Sequence, residues 1–104
     1  METTVINIKR TPDFDPVHNP NDVYIGRFHQ SPKYGTFKAS KWRNPFKVGV
    51  DGTTEEVLVK YQRYLSERKD LLEQLDELRG KRMGCWCKGE HACHGDVLEG
   101  LLRG

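Results

Sequence analysis

Gly84 to Leu98 reads GCWCKGEHACHGDVL and holds all three cysteines of the chain and two of its four histidines. So many soft donor groups in one short segment limit what the chain can build there: a metal site, a thiol active site, or a packed turn. Three is an odd number of cysteines, and the N-terminus METTVINIKR has no basic segment followed by an apolar run. No export signal is therefore expected, and a disulfide framework is disfavoured against free thiols in a reducing, cytoplasmic compartment.

A chain of 104 residues with 36% hydrophobic and 31% charged residues supports one domain, residues 1–104, with a lean core. No apolar run is long enough to span a membrane. The net charge of +2 does not by itself announce nucleic-acid binding. Its distribution is uneven, however: residues 1–50 carry eight Lys/Arg against four Asp/Glu, and the remainder nine against eleven. The first half can thus offer an anion-attracting patch, or simply a solvated surface.

Local patterns then set the elements. Val5 to Ile8 and Val23 to Arg27 read as strands, separated by a loop containing Pro12, Pro16 and Pro20. Phe28 to Ser40 reads as a long irregular loop, and Asn44-Pro45 as a turn flanked by Trp42 and Phe46. A helix starts at Thr53 or Thr54, with Glu55 and Glu56 in its first turn and Val57, Leu58, Tyr61, Tyr64 and Leu65 at helical spacing. Leu71, Leu72, Leu75 and Leu78 continue the helical pattern. Residues 66–70 either break it, with Asp70 as the new N-cap, or lie within one long helix. Arg79-Gly80 is a helix-ending signal, Lys81 to Cys87 reads as a strand, and Cys93 to Leu102 as the last helix. The order predicts an α/β fold: a mixed sheet of three to four strands packed by about three helices.

On such a strand Cys85 and Cys87 share a face opposite Trp86, and the chain enters its last helix soon after. Ligand sites of α/β proteins favour this junction. The expected reactive centre is Cys87, Cys93, His94 and Asp96, with Arg27, Lys41, Asn44 and Gly95 placed for an anionic group such as phosphate. Cys93 at a helix N-terminus suits a thiolate nucleophile, and His94 a general acid or base. The metal alternative uses Cys85, Cys87, Cys93 and His91, or His94 in its place, around tetrahedral zinc. The plain alternative makes Cys85 and Cys93 small buried hydrophobes and Asp96 a partner for the helix dipole. Trp42, Phe46 and Trp86 are read as packing.

These segments also resemble a known family. DVYIGR (22–27), SKWRNPF (40–46), TTEEVLVKYQRYL (53–65), LRGKRMGCWC (78–87) and CHGDVL (93–98) follow, in order, those of small bacterial and phage proteins known as domain of unknown function 4326. The resemblance implies a compact α/β fold and marks Arg27, Lys41, Asn44, Cys85, Cys87, Cys93, His94, Gly95 and Asp96 as motif positions. It implies no activity. Arg43 stands where that family usually has glycine, and the linker 88–92 lacks the usual proline. A weaker likeness, to uncharacterised family 488, also puts a Cys-His pair at a strand-to-helix junction. Three functions follow as expectations. One is a site acting on or binding a nucleotide, nucleoside or nucleic-acid end. Another is a zinc-stabilised binding module without catalysis. The last is an interaction protein whose loop 28–46 engages a protein partner, a reading that an exposed Trp42 would favour.

Overall fold

The polar residue inside Thr-Val-Ile-Asn is the first sign of how the chain is built: Val5 and Asn7 of this short strand are both buried. The computed structural model describes residues 2–88 and 93–103. In it β1 (Thr4–Asn7) leads through a 3-10 turn, Ile8–Arg10, to β2 (Asp22–Tyr24). A hairpin of β3 (His29–Ser31) and β4 (Gly35–Phe37) follows. Next come α1 (Thr54–Glu67), α2 (Lys69–Gln74) with a 3-10 turn at Leu75–Leu78, β5 (Arg82–Cys85) and α3 (His94–Arg103).

β5 is the centre of a three-stranded sheet of order β1-β5-β2, parallel to both neighbours. Its residues Met83, Gly84 and Cys85 are all buried because both faces are covered. On one face Val5, Ile25, Met83 and Cys85 pack with Tyr61, Leu65, Leu71, Leu78, Leu98 and Leu102 from the helices. On the other lies an aromatic layer, in which Tyr24 and Phe37 have ring centroids 4.7 Å apart and Phe37 and Trp86 5.7 Å apart. Gly84 is where that layer comes closest, since a Cβ there would lie 2.4 Å from Phe14 Cζ. The expected α/β architecture with three helices is therefore present, its five strands divided between the parallel sheet and the hairpin.

The expectation of an irregular loop over 28–40 is corrected by the β3–β4 hairpin. Its strands have three residues each, half-buried or exposed and none fully buried, so they carry no alternating apolar signal for a sequence pattern to detect. The helical stretch 54–78 is broken, at Arg68 (φ −102°, ψ 81°) rather than by an Asp70 cap. Arg68 stabilises the break by reaching both Asp70 carboxylate oxygens, at 2.9 and 2.7 Å, and the Tyr64 hydroxyl at 2.6 Å. α1 starts as its sequence indicates, on a Thr53–Glu56 capping box. Gly80 turns the chain into β5 at φ 77°. Trp42 is buried at 2% exposure. Its indole donates to Glu77 at 2.9 Å, and its carbonyl accepts the Tyr61 hydroxyl at 2.6 Å. No helix among the described residues is long and apolar enough to cross a membrane.

The starts of β2 and β5 are joined by an ion pair. Arg82 donates from two nitrogens to the two Asp22 oxygens, each at 2.8 Å, and the Asp22 side chain is 1% exposed. The Arg82 guanidinium, with the Asp15 amide, holds the Asp22 carboxyl below its ordinary value despite burial. A carboxyl with a lowered folded pKa stabilises above its unfolded value, and that stability is lost as pH falls through the folded value. Asp22→Asn should therefore cost about 3 kcal/mol in denaturant unfolding at neutral pH. The variant should also show a flatter loss of stability than the parent below about pH 4.

Candidate functional site

The carboxyl ends of three parallel strands lie on one edge of the sheet, and the cysteine segment crosses that edge. Cys85 ends β5 pointing into the helical core, Trp86 turns to the aromatic layer, and Cys87 returns toward the core side. Trp86 is fixed by its indole N–H on the Tyr24 hydroxyl, 2.9 Å away, and by the His29 ring at 4.2 Å. The buried Asn7 side chain at the end of β1 holds the departing chain. Its Nδ2 donates to the Lys88 carbonyl at 2.9 Å, while its Oδ1 accepts the Lys9 amide at 2.9 Å.

The three sulfurs converge. Cys85 Sγ is 3.0 Å from Cys93 Sγ and 3.6 Å from Cys87 Sγ, and all three lie within 4.8 Å of one another. The thiols are free, with Cys85 and Cys93 buried and Cys87 partly exposed. Hydrogen bonds from Cys87 and Cys93 lower the Cys85 pKa, assisted by the backbone amides of Cys87 and Lys88. The same contacts with Cys85 raise Cys87 and Cys93. The three thiols therefore titrate as one linked set rather than independently. Such a set of three close cysteines can hold a metal ion.

His94 opens α3 against this cluster. Its Nε2 is 2.7 Å from the Ile25 carbonyl, which can only accept, so Nε2 carries the proton and Nδ1 is the bare nitrogen. That Nδ1 faces Cys87 Sγ at 3.8 Å. Burial holds the imidazole pKa below its ordinary value, against the pull of the Ile25 carbonyl, so the ring is neutral at neutral pH. The Tyr61 ring meets it edge-on, with centroids 5.4 Å apart at 89°.

Above the cluster is a cavity of about 460 Å³. Cys85, Cys87 and His94 line its inner end, and Tyr24, Phe28, His29, Phe46 and Trp86 its aromatic wall. Arg27, Asn44 and Lys47 supply polar groups, and Thr54 brings the start of α1 to it. Two Arg27 nitrogens are already used, Nε on the Asn44 carbonyl at 3.1 Å and NH2 on the Phe46 carbonyl at 2.5 Å. The Asn44 amide in turn shapes its own loop, with Oδ1 accepting the Phe46 amide at 2.9 Å.

The structure thus brings together Arg27, Asn44, Cys85, Cys87 and His94 around one cavity, with Cys93 behind them. Lys41 lies apart from the cavity lining, paired to Glu77 at 2.8 Å. Asp96 pairs with Lys88 at 2.8 Å. Gly95 is buried against Val5 of β1 and Ile25, just beyond β2. His91 lies outside the described residues. Asn7, Phe28, His29 and Lys47 were not singled out by sequence reasoning. Asn7 alone had a signal, as the polar member of Val-Ile-Asn-Ile; the others fall in the stretch read as loop and turn.

A family model described as a domain of unknown function (DUF4326) matches residues 6–104. The chain belongs to that family. Among curated proteins, "Uncharacterized protein R718" of Acanthamoeba polyphaga mimivirus is 38% identical over 106 aligned residues, covering 95% of this chain and 78% of the viral protein. No solved structure is a significant match. Neither DUF4326 nor the mimivirus relative names an activity.

Gly95 gives a direct check on how α3 seats itself in this DUF4326 member. A Cβ there would lie 2.7 Å from Val5 Cγ1 and 3.0 Å from Ile25 Cδ1. Gly95→Ala should lower unfolding stability by about 1–3 kcal/mol through overpacking, read by chemical denaturation.

Proposed function

We propose that this chain binds a small phosphate-bearing molecule with a flat ring, of nucleotide or nucleoside type, in the cavity above Cys87 and His94. The observation that carries the reading is the composition of that one cavity. Phe28, Phe46 and Trp86 line it together with the cationic Arg27 and Lys47 and with the thiols and imidazole of Cys85, Cys87 and His94. Its volume of about 460 Å³ suits a ligand of that size. Stacking on such a wall contributes about 1–3 kcal/mol per base. Arg27 retains donors for an anion after its two backbone contacts. If the site is catalytic, Cys87 and His94 are the groups that meet the ligand's reactive end, since both line the cavity.

Calorimetric titration with nucleoside mono- and triphosphates tests this. Saturable binding should weaken about tenfold in Arg27→Ala, equivalent to about 1.4 kcal/mol. Comparable weakening is expected in Phe46→Ala. An absence of binding across nucleotides and nucleosides by the folded protein would overturn the reading.

The convergence of three sulfurs favours a second reading, a zinc ion that stabilises the domain. The Cys85–Cys87 separation of 3.6 Å is near the roughly 3.8 Å between sulfurs on tetrahedral zinc, and the 3.0 Å between Cys85 and Cys93 would have to widen by about 0.8 Å. Protein purified under reducing conditions should contain near-stoichiometric zinc by elemental mass spectrometry, and chelation should lower its Tm. Metal-free protein with unchanged Tm and three freely titrating thiols would sink this reading without touching the first.

A further inference from the structure

Three thiolates on a tetrahedral ion leave one coordination place, and what fills it extends the zinc reading and rests on it. Among the described residues the three sulfurs form the mutually close group, and His94 Nδ1 approaches that group at Cys87 Sγ, 3.8 Å away. A ring nitrogen on tetrahedral zinc lies about 3.5 Å from each sulfur. The Cys87 distance is already near that value, and the ion has to draw the ring in toward Cys85 and Cys93.

The imidazole is prepared for such a role. A ligating nitrogen must carry no proton, and the opposite N–H of a metal-bound histidine usually bonds to a carbonyl or carboxylate. Here Nε2 donates to the Ile25 carbonyl at 2.7 Å, which leaves Nδ1 bare and facing sulfur. The edge-on Tyr61 ring packs against it, and the residue is 9% exposed. A thiol is a weak donor, so a bare nitrogen buried beside one is poorly satisfied until a stronger partner arrives.

The sulfurs are prepared as well. The Gly95 amide points at Cys93 Sγ from 3.4 Å, and the amides of Cys87 and Lys88 bond to Cys85. N–H donors on sulfur favour the thiolate form that a metal requires. Cys93 precedes α3 rather than lying within it, so the helical turn does not force its side chain away from that of His94. Other donors nearby are engaged: Asp96 with Lys88 at 2.8 Å, and His29 with Ser31 Oγ at 3.1 Å.

We propose that His94 Nδ1 is the fourth ligand of a metal held by Cys85, Cys87 and Cys93, making a closed site of three thiolates and one imidazole. The ion then pins the end of β5 to the start of α3. Through the Ile25 carbonyl it is also tied to the segment that carries Arg27. Binding releases the thiol protons and none from the imidazole, whose Nδ1 has none to give. Cys87, although it borders the cavity, is in that state a ligand and not a nucleophile.

The test is zinc loading of the reduced full chain, read by X-ray absorption at the zinc edge and by NMR of protein labelled with nitrogen-15 histidine. The absorption should show three sulfurs at about 2.3 Å and one nitrogen at about 2.0 Å, with the outer-shell scattering of an imidazole. That scattering should vanish in His94→Ala and persist in His91→Ala. The His94 Nδ1 resonance should shift on zinc binding while Nε2 stays protonated. An oxygen in the fourth place of the parent, or imidazole scattering that survives His94→Ala and is lost in His91→Ala, would overturn the proposal. The NMR of the parent protein decides the matter if His94→Ala does not fold. Failure to take up zinc with the thiols reduced would overturn both the metal reading and this extension. Zinc uptake that leaves His94 Nδ1 unshifted would overturn the extension alone.

Discussion

The contact between Cys85 and Cys93 fastens the carboxyl end of the central strand to the start of the last helix. β5 is bonded to both other strands of its sheet, so wherever its end is held, the edge of that sheet is held with it. The residues between the two sulfurs must leave and return within a few ångströms. The fold brings supports for that excursion from three directions: Asn7 from β1, the Ile25 carbonyl from beyond β2, and Tyr61 from α1. Each meets a different atom of the Cys-His segment. The cavity is the space left outside this knot, which is why its inner end carries sulfur and imidazole while its walls come from the hairpin and the loop before α1.

What could be read from the sequence divides along the range of the interactions involved. The N-cap at Thr53, the glycine stop at Gly80 and the start of α3 depend on residues a few apart, and they form where the pattern puts them, although on α3 Leu98 and Leu102 are buried while Leu101 is exposed. The opposed faces of Cys85 and Trp86 follow from the period of a strand, even though β5 as observed ends at Cys85. The hairpin 29–37 did not show, because its strands owe their place to Tyr24, Trp86 and Phe14 rather than to a face of their own. Trp42 and Trp86 have the same residue type and opposite fates. One closes the helical core beneath a carboxylate, and the other stands between the aromatic layer and the cavity. Nothing local distinguishes them.

The candidate site shows the same division. Cys87 and His94 converge because a strand end and a helix start meet at one edge, which the order of elements already implies. Lys41 and Asp96 looked equally suitable by residue type. Their partners are Glu77 and Lys88, and neither pairing has a spacing that sequence inspection would favour over a role at the cavity. The burial of Trp42 counts against a protein-docking role for loop 28–46, while Phe28 at the start of that loop is exposed.

The Lys88–Asp96 pair shows how a modest interaction can still matter to such a site. Both side chains are nearly half exposed, at 42% and 45%, so their attraction is screened by solvent and contributes at most about 1 kcal/mol. Its value is geometric. Lys88 follows Cys87 and Asp96 lies in the first turn of α3, so the pair joins the strand end to the helix start. Asn7 thus holds the Lys88 carbonyl, while Asp96 pairs with the Lys88 ammonium. A carboxylate in the first turn also favours the helix through the dipole. Asp96 thus ties the residue that follows Cys87 to the first turn of α3, whose first residue, His94, has Nδ1 3.8 Å from Cys87 Sγ.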